Sequence, residues 1–192
     1  MRSLRILGLA VLGWTVLSVV PGRAQTNQPP LKLTAFAVNM ANVATGANAR
    51  VEINITSWST EAVRQKLITT FTEKGPNKLL DALQDQKPIG YFKLPNRLGY
   101  DLRFARQVPL EDGGRRILIL TDRPISEFEA REQPRTMDYP FTLIEVRLKK
   151  DGTGEGKISV ATKITLNKKE NTVELENYQS EPVRLNSVSV VK

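Results

Sequence analysis

The chain of 192 residues carries 28 Lys and Arg against 20 Asp and Glu, a formal charge of +8, and contains neither cysteine nor histidine. That composition excludes disulfides, a Ser-His-Asp triad and zinc bound by thiolate or imidazole, so any metal must be a hard cation held by oxygens. Stability must come from a packed core, which a domain of this length can bury without covalent staples.

The N-terminus predicts export. Arg2 and Arg5 precede an uncharged apolar stretch over residues 6–20, and Pro21 and Gly22 then break the helical run. Gly22 and Ala24 place small residues three and one before a cleavage point at Gln25, which is the three-part pattern of a secretory signal peptide over 1–24. The apolar stretch of 15 residues is short of the roughly 20 needed to span a bilayer. A periplasmic or extracellular protein without membrane insertion is therefore expected. Removal of Arg2, Arg5 and Arg23 lowers the formal charge from +8 to +5. The cations of residues 25–192 are spread among acids with no dense basic block, which argues against nucleic acid as a partner.

In chain order, residues 25–30 form a polar leader, expected to be disordered, ahead of a single β-rich domain over 31–192. A first strand is expected over 31–40, and residues 41–49 are a loop of Ala, Asn, Thr and Gly. Val51, Ile53 and Ile55 alternate with Glu52, Asn54 and Thr56, the period of a half-buried strand. The period then becomes helical: Ser59 or Thr60 can cap, and Val63, Leu67, Ile68 and Phe71 share one face. Gly75 closes this helix and Pro76 opens a second carrying Leu79, Leu80 and Leu83, which predicts an α-hairpin over 60–85 laid on a sheet face or a barrel mouth.

Further strands are expected near 88–94, 100–107, 115–122, 140–149, 156–166, 172–178 and 182–191. Asp112-Gly113-Gly114 and Asp151-Gly152 are hairpin turns between them. About nine strands with short links make the fold class mainly antiparallel β, a sandwich or barrel with an inserted α-hairpin, and α+β is the fallback. Ile53, Ile55, Val63, Leu67, Phe71, Leu102, Phe104, Ile117, Ile119, Ile144, Val146, Ile158 and Val160 occupy the apolar phases and are the expected core.

Residues 123–139 form the one connection too long for a hairpin, and Ser126 with Glu129 is a capping pair for a short helix near 127–132. Long structured connections often bind ligands or act as lids. The Gly-rich run 151–156 lacks the acidic ligands and helical flanks of a calcium loop and the spacing of a phosphate-binding loop, so it is a hairpin turn. No cofactor is implied. Asn54-Ile55-Thr56 is a glycosylation sequon, relevant only in a host that glycosylates exported proteins.

Between residues 94 and 148 every cation is arginine: Arg97, Arg103, Arg106, Arg115, Arg116, Arg123, Arg131, Arg135 and Arg147. Nine acids share the segment, among them Asp101, Asp122, Glu127, Glu129, Glu132 and Asp138. Arginine's planar fork suits two-point carboxylate contacts. The segment is therefore either a network of arginine–carboxylate pairs tying the long connection to the sheet, or a cleft that binds an anion. For the second reading the candidate ligand-binding residues are Arg123, Arg131 and Arg135, with Trp58 nearby between the second strand and the first helix.

Two function classes follow: a non-catalytic binding or structural module for a small molecule or protein, and a histidine-free hydrolase using a carboxylate pair on a carbohydrate. The strings PIGYFKLPNRLGYDLRFARQ, DGGRRILILTDRPISEFEARE and DYPFTLIEVRLKKDGTGEGKISVATKI resemble those of a group of uncharacterised exported bacterial proteins, over roughly residues 50–166. The resemblance implies an exported bacterial setting and transfers no activity, ligand or site residue.

Overall fold

The computed structural model describes residues 28–38, 48–123, 125, 141–159, 162–167, 172–177 and 183–191. The alternating N-terminal run forms β1 (Leu31–Val38), which pairs along its whole length with β2 (Asn48–Ile55), from Leu31↔Ile55 to Val38↔Asn48. The helices α1 (Glu61–Lys74) and α2 (Pro76–Gln84) follow, then β3 (Gly90–Lys93), β4 (Tyr100–Pro109), β5 (Arg115–Thr121), β6 (Leu143–Leu148) and β7 (Thr153–Ser159). β8 (Thr162–Asn167) and β9 (Thr172–Asn177) pair with each other, and β10 (Val183–Val190) ends the series. Eight strands close in the order β1-β10-β7-β6-β5-β4-β3-β2, all antiparallel. Of the two architectures expected, the fold is the barrel.

The strand expected over 156–166 is a correction. The chain forms two strands there, so ten are described where about nine were expected. β7 stays in the barrel between β6 and β10, while β8 belongs to a separate two-stranded sheet. The alternation of apolar residues is common to both strands, and period alone carries no mark of a change of sheet.

Inward positions fill the barrel. Leu33, Ile53, Ile55, Phe92, Leu102, Ile117, Ile119, Ile144, Val146, Leu148, Ile158 and Leu185 are buried in one cluster. Each such side chain contributes about 1.5–3 kcal/mol. Gly154 and Gly156 share the inward phase of Ile158, and a Cβ on Gly154 would lie 1.9 Å from the Arg147 carbonyl. Small residues there let β7 approach β6 closely. Outward positions carry Lys32, Glu52, Arg106, Arg147 and Lys157, the reverse of the apolar outer band of a barrel wall facing lipid. No described helix is long and apolar enough to cross a membrane.

Two bulges reset the phase of their strands. Leu102 pairs with Thr121 but Phe104 pairs with Leu120, so Arg103 is an extra residue on β4. Leu102 therefore enters the barrel, whereas Phe104 joins a second cluster with Leu67, Leu79, Ala82, Leu83 and Phe141. On β10 the register shifts between Leu185 and Val188 around Ser187, at φ 51°, which returns Val188 to the interior.

That second cluster attaches the helices. Thr60 caps α1 by accepting from the Val63 amide at 3.1 Å, and Gly75, at φ 81°, lets the chain turn into Pro76. Leu67, Leu79 and Leu83 then pack on Phe104 and, partly, Leu120, so the α-hairpin lies against the outer wall of β4 and β5. Val63 and Phe71 are only partly buried at its margin. The other expected core residues are buried, save Val160, which lies outside the described residues. So do residues 1–24, expected to be a signal peptide, residues 25–27 and the stretch 127–132 where a short helix was expected.

Candidate functional site

The bulge that divides Leu102 from Phe104 also sets Arg103 where three elements meet. Its Nε donates to Asp122 Oδ2 just beyond β5 at 2.8 Å, and Nη2 lies 2.7 Å from the same oxygen as an ion pair. Nη2 also reaches Asp101 Oδ2 at 3.1 Å, and Nη1 donates to the Gln86 carbonyl after α2 at 2.7 Å. The Arg103 and Asp122 side chains are only 16% and 13% exposed, so this pair is well shielded from solvent. Gln84 adds a bond to the Asp122 carbonyl at 3.4 Å. The end of α2 is thereby tied to the start of the long connection.

Below this cluster the two ends of that connection are stitched together. The Thr142 amide donates to Thr121 Oγ1 at 2.9 Å, the Thr121 hydroxyl donates to the Arg123 carbonyl at 2.7 Å, and the Ile125 amide donates to Thr142 Oγ1 at 3.0 Å. Both threonines are fully buried, and Ile125 belongs to the barrel cluster. A second arginine pairing runs along the wall: Arg106 meets Glu61 at 2.8 Å, and Glu61 also meets Arg64 at 2.8 Å. Of the arginine–carboxylate pairs expected within residues 94–148, those among the described residues join Arg103 to Asp101 and Asp122 and Arg147 to Glu145, while Arg106 pairs outside the segment with Glu61.

The candidate ligand residues are placed as follows. Arg123 is exposed, donates to the Gly99 carbonyl at 3.2 Å, and holds its guanidinium 5.3 Å from the Tyr100 ring centre. A cation over an aromatic face is attractive without any carboxylate. Trp58 is 5% exposed in the barrel cluster, and its indole donates to the Pro29 carbonyl at 2.9 Å. Trp58 and Arg123 meet different stretches of the chain: Ser59, next to Trp58, donates its amide to the Ala105 carbonyl in the middle of β4, whereas Arg123 meets Gly99 and Tyr100 at its start. Arg131 and Arg135 lie outside the described residues, as do Glu127, Glu129, Glu132 and Asp138.

Among the described residues no group of three or more acids is placed to hold a metal ion. Of the run 151–156, Asp151-Gly152 is the turn and Thr153 already begins β7; Asp151 Oδ1 accepts from both the amide and the hydroxyl of Thr153, and these bonds hold its carboxyl below the usual value. The same geometry closes the other Asp-Gly turn, where Asp112 Oδ1 accepts from the Gly114 amide at 2.8 Å. On the outer face of β1–β3, the hydrogen bond from Tyr91 and then that from Lys32 hold Glu52 low. The bond to Glu52 raises both Tyr91 and Lys32.

Arg103 stood among nine arginines in the sequence with nothing to single it out. Its role depends on the bulge, and a bulge leaves no trace in a run of alternating residues. Comparison with protein-family models, curated proteins and solved structures finds no match to this chain.

Proposed function

We propose that this chain is an exported, non-catalytic binding or structural module. The observation that carries the reading is that Asp101 and Asp122, the two acids at neighbouring strand ends, both converge on one Arg103 amino group. A carboxylate pair that works on a glycosidic bond must face its substrate, whereas both of these carboxylates are engaged by one guanidinium and Asp122 is largely shielded from solvent. The packed barrel interior supports the same reading, because its apolar side chains fill the space that ligand-carrying barrels leave open. The export setting rests on the signal pattern of residues 1–24.

The second reading, a hydrolase, has one observation in its favour: Asp101 and Asp122 do approach each other, as a carboxylate pair around a glycosidic bond must. The two part on one experiment. Exported protein is screened against aryl glycosides of several sugars, alongside Asp101→Asn and Asp122→Asn. The module reading expects no turnover from any of them and a lower melting temperature for Asp122→Asn. Turnover by the parent that disappears in a still-folded Asp122→Asn would establish the hydrolase. Export itself is tested by N-terminal sequencing, which should begin at Gln25. Protein that still starts at Met1 would remove that part of the reading.

A further inference from the structure

The outer wall of β5, β6, β7 and β10 carries an arrangement that folding alone does not favour. Arg116 on β5 stands directly opposite Arg147 on β6, and Lys157 on β7 directly opposite Arg184 on β10. Like charges placed face to face across a ladder destabilise a sheet. All four point outward, since each lies between inward residues of its strand or shares the phase of Leu120 against the helices. Two acids relieve part of the repulsion. Glu145 meets Arg147 at 3.2 Å and Lys157 at 3.6 Å, and Glu155 stands opposite Arg147. Among the described residues no ion pair joins Arg116 or Arg184 to a carboxylate, and Arg116 Nε is buried without a hydrogen-bond acceptor.

We propose that this wall binds a linear acidic polysaccharide through Arg116, Arg147, Lys157 and Arg184. The inference rests on the reading of the chain as an exported binding module, and names its ligand class. Three features select a sparse chain of carboxylates. Guanidinium forks match carboxylates in two-point contacts. The flanking pair, Arg116 and Arg184, stand roughly 15 Å apart over three strand spacings, so the cations form a track and not a pocket. Glu145 and Glu155, interleaved in that track, repel a polymer charged at every step but leave room for one whose charges are spaced. Single-stranded nucleic acid is bound by stacking on aromatic side chains, and the described outward positions of these strands, such as Leu118, Leu143 and Asn186, supply none.

The test uses the exported, purified protein with hyaluronate, which carries a carboxylate on alternate sugars only, as the probe, by affinity electrophoresis and calorimetry. Binding is expected at low salt, weakening by roughly tenfold or more between about 50 and 200 mM. Arg116→Gln/Arg184→Gln should weaken binding by at least a similar factor while leaving the melting temperature unchanged or higher, because a repulsion is relieved. Arg184→Gln alone, at an exposed position, serves if the double variant does not fold. No binding at low salt, equal binding by the folded variant, or equal binding of poly(dT) would each overturn the proposal. New reducing ends released from the probe would instead overturn the non-catalytic reading on which it rests.

Discussion

Arg103 directs two of its nitrogens at a single oxygen of Asp122, at 2.8 and 2.7 Å, from the bulged position of β4 between Leu102 and Phe104. A third nitrogen holds the Gln86 carbonyl at 2.7 Å, so barrel, helices and long connection share one cation. Removing it strands a shielded carboxylate. Arg103→Ala should therefore cost about 3–5 kcal/mol, measured as a shift in urea midpoint at unchanged slope. Arg103→Lys should recover only part, because an ammonium cannot span all three acceptors. A loss within about 0.5 kcal/mol would mean that the pair behaves as an ordinary surface contact.

Leu102 and Phe104, two residues apart, should fail differently. Leu102→Ala opens a cavity inside the barrel and should lower global stability by about 2–5 kcal/mol. Phe104→Ala removes the floor on which Leu67 and Leu83 rest. Its first effect should be faster amide hydrogen exchange across α1 and α2, with the barrel amides still protected. Uniform acceleration in both variants would show that helices and barrel unfold as one unit.

The outer-face trio of Lys32, Glu52 and Tyr91 predicts a signed pH response. The folded protein holds Glu52 below its usual 4.5, so its contribution is complete above that pH and is lost as pH falls through the folded value. Lys32 and Tyr91 are raised above 10.5 and 10.0, so theirs is complete below those values and is lost as pH climbs through the folded ones. Glu52→Gln should flatten the acid limb of a stability–pH curve and lower the alkaline shoulder as well. A change on the acid side alone would mean that Glu52 does not hold Tyr91 and Lys32.

Trp58 should report on the chain end beside it. Trp14 and Trp58 are the two tryptophans, and cleavage after Ala24 would leave Trp58 as sole emitter. Its emission should be blue-shifted in exported protein. Deleting residues 25–30 removes the Pro29 acceptor and should shift that emission to the red, with a loss of about 1 kcal/mol. An unchanged spectrum would place the leader elsewhere in solution.

Much of this architecture was legible because one period persists over each strand. The phases of β2, β5 and β6 put Ile53, Ile117 and Val146 inside, and Asp-Gly at 112 and 151 marks both tight turns. What stayed hidden depends on pairing between distant strands. Nothing near Arg103 or Ser187 announces an extra residue, yet each redirects every side chain beyond it. The facing cations at 116 and 147, or 157 and 184, become neighbours only when register is known. Arg123 was legible only as a candidate ligand residue, and its seat over Tyr100 was not.

The seam between β1 and β10 imposes an order on the birth of this molecule. Thr34 and Ser189 share a hydrogen bond across 155 residues of chain, so β1 must wait for β10. Until β10 arrives, β1 and β7 each expose a row of unpaired amides and carbonyls, the surface on which chains aggregate. A message truncated before Val183 therefore yields no smaller working barrel, only an open sheet for proteases to clear. On the proposed export route, a chain threaded N-terminus first stays unfinished, and threadable, until β10 is through.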